Sequence, residues 1–477
     1  MTTFNRKGLT ALLLAFLTLL PLIGCRPTAP KPTTPAPSKY KPFRAEGKWI
    51  RDAQGRVVFL RGLNYSNRSK RPPFTTWMRE SHFDQMAYMG CNAVRLLLSW
   101  EKVEPQKGLY DQAYLQHMDK VIGWCEKRNI WVILDMHQDI WSRAIGGNGA
   151  PFWATKDDLV EPDEDFGGPW ALDYYTQECL YNFDRFWKSE SLQKSFRNAW
   201  TTVITKLGKR KNVIGFDLFN EPFNGNAAIH KFEKDLLKPF YEKVIADIRT
   251  VDADRIVFVE PAIHTSVGAP SFLPKMSEKN LGYIPHYYDI TMQIGLPYYG
   301  ALQSQIGYSR MTTEAALQDM PLVVGEWGTH LNMKQSVEYI RDQLKLQEDL
   351  LVSGALMWGF EPPAGGFHPW NADGSERPAL AHLDRPYPRR VAGIPARFSF
   401  DIQKPEFVLE WNRDSSRTVT GPTVIYLPKR HFPKGVQITS SDPQGSWRWS
   451  HDPKHNTLSI WASSSHSWHQ ITLRPKR

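Results

Sequence analysis

Leu322-Val323-Val324-Gly325-Glu326-Trp327-Gly328 is an apolar run that stops at a carboxylate, and Phe216-Asp217-Leu218-Phe219-Asn220-Glu221-Pro222 ends the same way earlier in the chain. Trp131-Val132-Ile133-Leu134 is continuously apolar as well. A strand buried on both faces reads like this, as in a parallel sheet covered by helices. Working outward from these runs, β-rich stretches recur at 57–64, 93–100, 131–137, 214–220, 255–260, 282–286, 322–326 and 355–360. Helical periodicity fills 75–89, 112–127, 191–209, 229–247 and 335–350, and the fifth and sixth units are only weakly marked. Eight strand–helix units over roughly 320 residues predict an α/β fold, a TIM-type (β/α)8 barrel.

Past Tyr387 the helical rhythm stops. Short runs at 398–402, 406–411, 418–426, 435–439, 447–450 and 457–462 are separated by Asn, Asp, Gly and Pro, which predicts a small all-β sandwich. No cluster of catalytic side-chain types appears there, so the sandwich is expected to pack against the barrel rather than to bind glycan. The expected plan is a barrel over residues 44–386 and a sandwich over 387–477.

The front of the chain is different in kind. Arg6 and Lys7 precede the twelve-residue apolar run 9–20, too short for a membrane span of ~20 residues but suited to a secretory leader. Leu22-Ile23-Gly24-Cys25 resembles a bacterial lipobox, which implies cleavage before Cys25 and acylation of its thiol. Residues 25–43 carry Pro27, Pro30, Pro32, Pro35, Pro37 and Pro42, the composition of an extended tether. The expectation is a leader at 1–24, a lipid-anchored linker at 25–43 and a cell-envelope location on a membrane. Cys91, Cys125 and Cys179 lack metal-ligand spacing and allow at most one disulfide, with buried free thiols equally open.

Composition narrows the function. The 477 residues are 41% hydrophobic and 23% charged, which excludes a disordered, collagen-like or disulfide-scaffold chain. Aromatics reach 13%, with 18 Trp, a supply of flat apolar faces for sugars or lipids. The net charge of +10 is spread along the chain without a basic block interleaved with aromatics, so no nucleic-acid partner is expected.

Polar side chains gather where the predicted strands end: Arg95, His137 and Asp139, Asn220 and Glu221, His286 and Tyr288, Glu326, Trp358. In a barrel these ends open on one face. Retaining hydrolysis of a glycosidic bond needs two carboxyl groups ~5–5.5 Å apart, one protonated to serve the leaving oxygen and one ionised to attack. Glu221 and Glu326 are the candidate pair, and Asn220 can hydrogen-bond the sugar 2-OH. His137 and Asp139 have no third ligand at a recognisable metal spacing, so neither metal nor cofactor is expected.

At this point the sequence resembles glycoside hydrolase family 5, a retaining family of TIM barrels, over residues 45–385. The resemblance implies that Glu221 is the acid/base and Glu326 the nucleophile. It also implies supporting roles for Arg95, His137, Asn220, His286, Tyr288 and Trp358: Arg95 and Tyr288 beside the nucleophile, His286 beside the acid/base, and Trp358 under the sugar. A narrower likeness lies in residues 95–115, in Leu134-Asp135-Met136-His137-Gln138-Asp139 and in Gly147-Asn148-Gly149-Ala150-Pro151-Phe152-Trp153, which look like the endoglycoceramidase branch. It implies a glycosphingolipid substrate cut between sugar and ceramide. Trp327 stands where that branch more often has Phe, which bears on the shape of the pocket for the first sugar.

Asp139 reads equally as a sugar ligand or a loop cap. Met292, Ile294, Leu296, Pro297, Tyr298 and Tyr299 form an apolar stretch that either accepts ceramide chains or covers the barrel. Two other functions stay open on sequence: another retaining β-glycosidase, exo-acting on glucosylceramide or acting on glucan, and a silent carbohydrate-binding lipoprotein. The oligomeric state is not legible.

Overall fold

The computed structural model describes residues 43–156, 170–363 and 365–476. The expected leader, Cys25 and the expected linker up to residue 42 lie outside the described residues, as does residue 477. Eight parallel strands form a barrel: Leu60–Tyr65, Ala93–Ser99, Trp131–His137, Val213–Asp217, Ile256–Val259, Leu281–Tyr283, Val323–Trp327 and Gly354–Met357. The sixth and seventh strands meet through bridges from Tyr283 to Leu322 and Tyr287 to Trp327, which closes the ring.

Side chains alternate as a pleat requires. In the second and third strands Val94, Leu96, Leu98, Val132, Leu134 and Met136 point outward into the main core under the helices. Ala93 and Ile133 point inward, where they meet Ile214, Ile256, Phe258, Ile284 and Val323. Phe43 joins this inner cluster and lies 4.6 Å from the ring of Trp131, the first residue of the third strand. The start of the described chain therefore plugs the end of the barrel opposite the strand carboxyl ends.

The covering helices include Glu80–Tyr88, Gln112–Glu126, Glu190–Leu207, Lys238–Val251 and Ser336–Asp349. Asp111 starts one of them by accepting the Tyr114 N–H at 2.9 Å, an ordinary N-cap. The expected helix at 75–89 begins only at Glu80, because residues 72–78 turn to bury Phe74 and Trp77. The helices Gln177–Lys188 and Leu302–Gln318 had no sequence expectation. In the second of these Leu302, Ile306 and Leu317 face outward, which blurs the apolar period. The fifth unit carries only a short turn, Ile263–Val267, in place of a helix.

The expected strand at 57–64 divides. Leu60–Tyr65 enters the barrel, whereas Val57–Val58 pairs with Val391 and Arg390 in the C-terminal region. That region is a two-sheet sandwich. One sheet runs, in spatial order, 44–46, 49–51, 57–58, 387–391, 423–426, 457–461, 448–452; the other runs 394–401, 406–412, 468–475, 436–440. Phe407, Leu409 and Trp411 point between them, alternating with Glu406, Val408 and Glu410.

The sandwich is seated on the barrel. Tyr387 Oη donates to the Gly90 carbonyl at 2.8 Å, Tyr426 Oη to the Tyr88 carbonyl at 3.1 Å, and Arg385 pairs with Glu348 at 3.0 Å. Gly90 has φ +76, and a Cβ there would lie 2.2 Å from the Tyr426 ring, so glycine is required on both counts. Cys91, Cys125 and Cys179 are buried free thiols. No helix among the described residues is long and apolar enough to cross a membrane.

Candidate active site

Two residues beyond the apolar inner layer, the same strands turn polar. Arg95 is fully buried and reaches four carboxylates: Asp217 at 2.7 Å, Asp135 at 3.0 Å, Glu260 at 2.9 Å and Glu326 at 2.7 Å. A buried guanidinium is tolerable only when it is paired in this way. Its Nη1 also donates to Asn64 Oδ1 and its Nη2 to Asn220 Oδ1. One side chain thus ties strands one, two, three, four and seven to the segments that follow strands four and five.

Glu221 and Glu326 face each other. An oxygen of each, together with a ring nitrogen of His286, lies within 4.8 Å of the others. His286 Nδ1 is 2.9 Å from Glu221 Oε1 and 3.7 Å from Glu326 Oε2. Tyr288 Oη donates to Glu326 Oε2 at 2.8 Å, opposite the Arg95 bond to Oε1. Both oxygens of Glu326 are therefore held, and its plane is fixed. Glu221 has φ +45, a left-handed backbone for a non-glycine residue, the kind of strain that gathers at functional sites.

The electrostatics separate the two carboxyls. Burial pushes the Glu221 carboxyl above the usual range, and the Glu326 charge adds to that against His286. Burial opposes a charged His286, yet the charges of Glu260 and Glu326 together with its bond to Glu221 hold it well above the ordinary histidine value. A carboxyl biased toward its acid form beside an imidazole biased toward its charged form, with a second carboxyl clamped by Arg and Tyr, suits the division of labour that acid-assisted glycoside cleavage requires.

Asn220 is buried with its Oδ1 on Arg95 and its Nδ2 on the Gln138 carbonyl at 2.8 Å. The second N–H of that amide is the one that remains for a sugar hydroxyl. His137 Nδ1 is bound to Asp135 at 2.7 Å and its ring stacks on Trp358, centroids 5.6 Å apart and 14° from parallel. Asp139 is not merely a loop cap. Its Oδ2 is 2.5 Å from Lys70 Nζ, 2.9 Å from Asn148 Nδ2 and 3.5 Å from His137 Nε2. Burial opposes its charge, but Lys70 and His137 hold it well below the usual carboxylate range. Every sequence-predicted residue among the described ones thus lies in one connected cluster.

Sequence reading missed Lys70, Asp217 and Glu260. Lys70 follows the first strand inside a basic stretch and lies 4.3 Å from the centre of the Trp358 ring. Nothing in the stretch Arg68-Ser69-Lys70-Arg71 signals that position. Glu260 had a signal: Val259-Glu260-Pro261 repeats the strand–Glu–Pro pattern of Glu221. Asp135, Asp217 and Glu260 have oxygens within 4.8 Å of one another, but the cation among them is the Arg95 guanidinium. Trp327 corrects an expectation. It points away from the cleft, into the layer between strands and helices, where it borders a cavity of about 30 Å³ with Leu344, Gln347, Met357 and Tyr387. Phe or Trp at this position therefore does not shape the sugar pocket directly.

Paired buried carboxyls at the carboxyl end of a (β/α)8 barrel, backed by Arg, His, Tyr and Trp, define a barrel glycosidase. Residues 51–358 match the family model for cellulase (glycosyl hydrolase family 5), and residues 385–473 match that for the glycoside hydrolase family 5 C-terminal domain. The chain belongs to glycoside hydrolase family 5. It is 26% identical over 425 residues to endoglycoceramidase I of Rhodococcus hoagii, covering 83% of this chain and 82% of the relative. It is 24% identical over 437 residues to an endoglycoceramidase of Hydra vulgaris, covering 82% and 81%. The structure of endo-glycoceramidase II from Rhodococcus sp. in complex with ganglioside GM3 superposes with a TM-score of 0.82 at 30% identity, covering 90% of this chain and all of that one.

Proposed function

We propose that the protein is a retaining endo-acting glycosylceramidase, which cleaves the β-glycosidic bond between the reducing-end sugar of a glycosphingolipid and ceramide. The observation that carries the mechanism is that an oxygen of Glu221 and one of Glu326 lie within 4.8 Å of each other around His286, an approach that suits the close carboxyl pair of a double displacement. The substrate class rests on the similarity to endoglycoceramidases over more than four-fifths of the chain.

In the first step the Glu326 carboxylate attacks the anomeric carbon as the bond to the ceramide oxygen breaks. Glu221 gives its proton to that oxygen, so ceramide leaves neutral and the sugar stays as an ester on Glu326. In the second step Glu221, now ionised, takes a proton from water. The hydroxide so formed attacks the anomeric carbon, the ester opens, and the sugar is released with its β configuration. Arg95 and Tyr288 hold Glu326 in place, and Asn220 strengthens its contact to the 2-OH as charge develops.

The lipid half has a candidate seat beyond Tyr288. Ile294, Leu296, Tyr299 and Leu302 are exposed, Tyr299 by 73% and Leu302 by 70%, an apolar cluster of the kind that marks lipid or partner contact. Met292 and Tyr298 belong instead to the core. The lipobox at Cys25 and the Pro-rich linker fit a lipid-anchored envelope enzyme; Cys25→Ala should move the protein from the membrane to the soluble fraction with the activity of the body retained.

Hydrolysis of lactosylceramide is the direct test. Intact lactose plus ceramide is the expected product pair, whereas release of galactose alone, leaving glucosylceramide, would favour exo action. Turnover confined to soluble glucans would overturn the lipid assignment.

A further inference from the structure

Glu260, at the end of the fifth strand, stands behind the two reacting carboxyls against Arg95 and His286, and it is 2% exposed. Its Oε2 accepts the backbone N–H of Glu221 at 2.8 Å. Its Oε1 takes Arg95 Nη2 at 2.9 Å and lies 3.4 Å from His286 Nε2. Its own carbonyl accepts Tyr241 Oη at 2.9 Å. One carboxylate therefore holds the backbone of Glu221 and the arginine bound to Glu326, and faces the outer nitrogen of the imidazole whose inner nitrogen meets Glu221.

We propose that Glu260 is a positioning residue for the reaction: it pins Glu221 in its left-handed backbone and keeps His286 doubly protonated, so that Nδ1–H donates to Glu221 Oε1 and the acid proton rests on Oε2, free to go to the leaving oxygen. This rests on the roles given above to Glu221 and Glu326. The argument is electrostatic and geometric. An imidazolium whose inner nitrogen meets one carboxyl is retained only while a negative charge faces its outer nitrogen. Once Glu221 has given up its proton, the same Nδ1–H stabilises the new carboxylate until it takes a proton from water.

The other ionisable groups around Glu260, His286 and Glu221 include Arg95 and Asp135 from strands two and three, Asp139 just after strand three, Asp217 from strand four, Tyr288, Glu326 from strand seven and Tyr241 from the helix 238–251. Burial raises Asp217 well above the ordinary carboxyl range and Glu260 reinforces it. Burial likewise opposes charge on Glu260, but His286 and Arg95 lower it below the ordinary value. Glu260 is thus the carboxylate that faces His286 Nε2 as an anion.

Glu260→Gln keeps the shape and the acceptor for the Glu221 N–H but removes the charge. Losing a negative neighbour lowers the proton affinity of the His286–Glu221 pair whichever member releases its proton, so the alkaline limb of kcat/KM should move to lower pH by about one unit. On lactosylceramide kcat should fall about ten-fold or more, because the alkoxide leaving group needs the acid. On 2,4-dinitrophenyl β-lactoside, whose leaving group needs no proton, the loss in the glycosylation step should shrink to within about three-fold. A thermal melt of the variant checks that it is folded. An unshifted alkaline limb, or equal losses on both substrates, would overturn the role of Glu260. Failure of the wild-type protein to turn over either lactoside would instead overturn the glycosidase reading on which it rests.

Discussion

Two layers of the barrel interior lie one pleat apart and obey opposite rules. Ala93, Ile133, Phe258 and Ile284 face inward and pack together without a polar atom. Two residues further along the same strands and segments stand Arg95, Asp135, Glu260 and His286, equally buried and wholly charged or polar. The lower layer gains by leaving water, at about 25 cal/mol per Å² of apolar surface. The upper layer pays desolvation for every ion, and an apolar replacement of similar volume would often be neutral or stabilising. A cluster that stability does not demand, set on a frame that stability does, is the mark of a catalytic layer.

The contrast can be broken from either side. The largest effect is expected at the upper layer: Glu326→Ala should cut kcat by ~10⁴-fold or more with the melting temperature changed little, read by paired kinetics and calorimetry. Arg95→Lys comes next. It keeps one charge but cannot reach four carboxylates at once, so kcat should fall by about 10²–10³-fold, and the variant should also lose stability because carboxylates are left unpaired. Phe258→Ala, in the lower layer, should do the reverse: a stability loss of about 3–5 kcal/mol by denaturant unfolding, with the pH profile of the folded fraction unmoved. The smallest effect is expected outside both layers. Tyr299→Ser combined with Leu302→Ser should raise KM for lactosylceramide about ten-fold while leaving 2,4-dinitrophenyl β-lactoside unaffected.

How far the sequence reaches follows the same division. Apolar runs locate all eight barrel strands, because burial on both faces leaves a continuous signature. Strand ends locate Arg95, His137, Asn220, Glu221, His286, Tyr288, Glu326 and Trp358, because polar groups there have little structural reason to exist. What escapes is pairing at a distance. Val57–Val58 continues a barrel-like run but joins the sandwich sheet through residues 390–391, a choice made by the fold and not by local pattern. Lys70 reaches Asp139 from a short 3-10 turn, Asn67–Lys70, with no motif, and the function of Glu260 depends on three partners that only the closed ring brings together.

The alkaline limb of activity carries the electrostatic half of these claims. Burial raises the Glu221 carboxyl, so the acid form persists to higher pH than in a solvated glutamate, and rates should fall as pH rises through the loss of that proton. His286→Gln removes the imidazolium and should reshape that limb, measured as kcat/KM against pH.

The most direct measurement is covalent capture. Incubation with 2,4-dinitrophenyl 2-deoxy-2-fluoro-β-lactoside, followed by intact-mass and peptide analysis, should add one fluorolactosyl group to the protein, carried on Glu326. Absence of an adduct on active enzyme, attachment to a different residue, or release of the α-anomer from the normal substrate would contradict attack by Glu326.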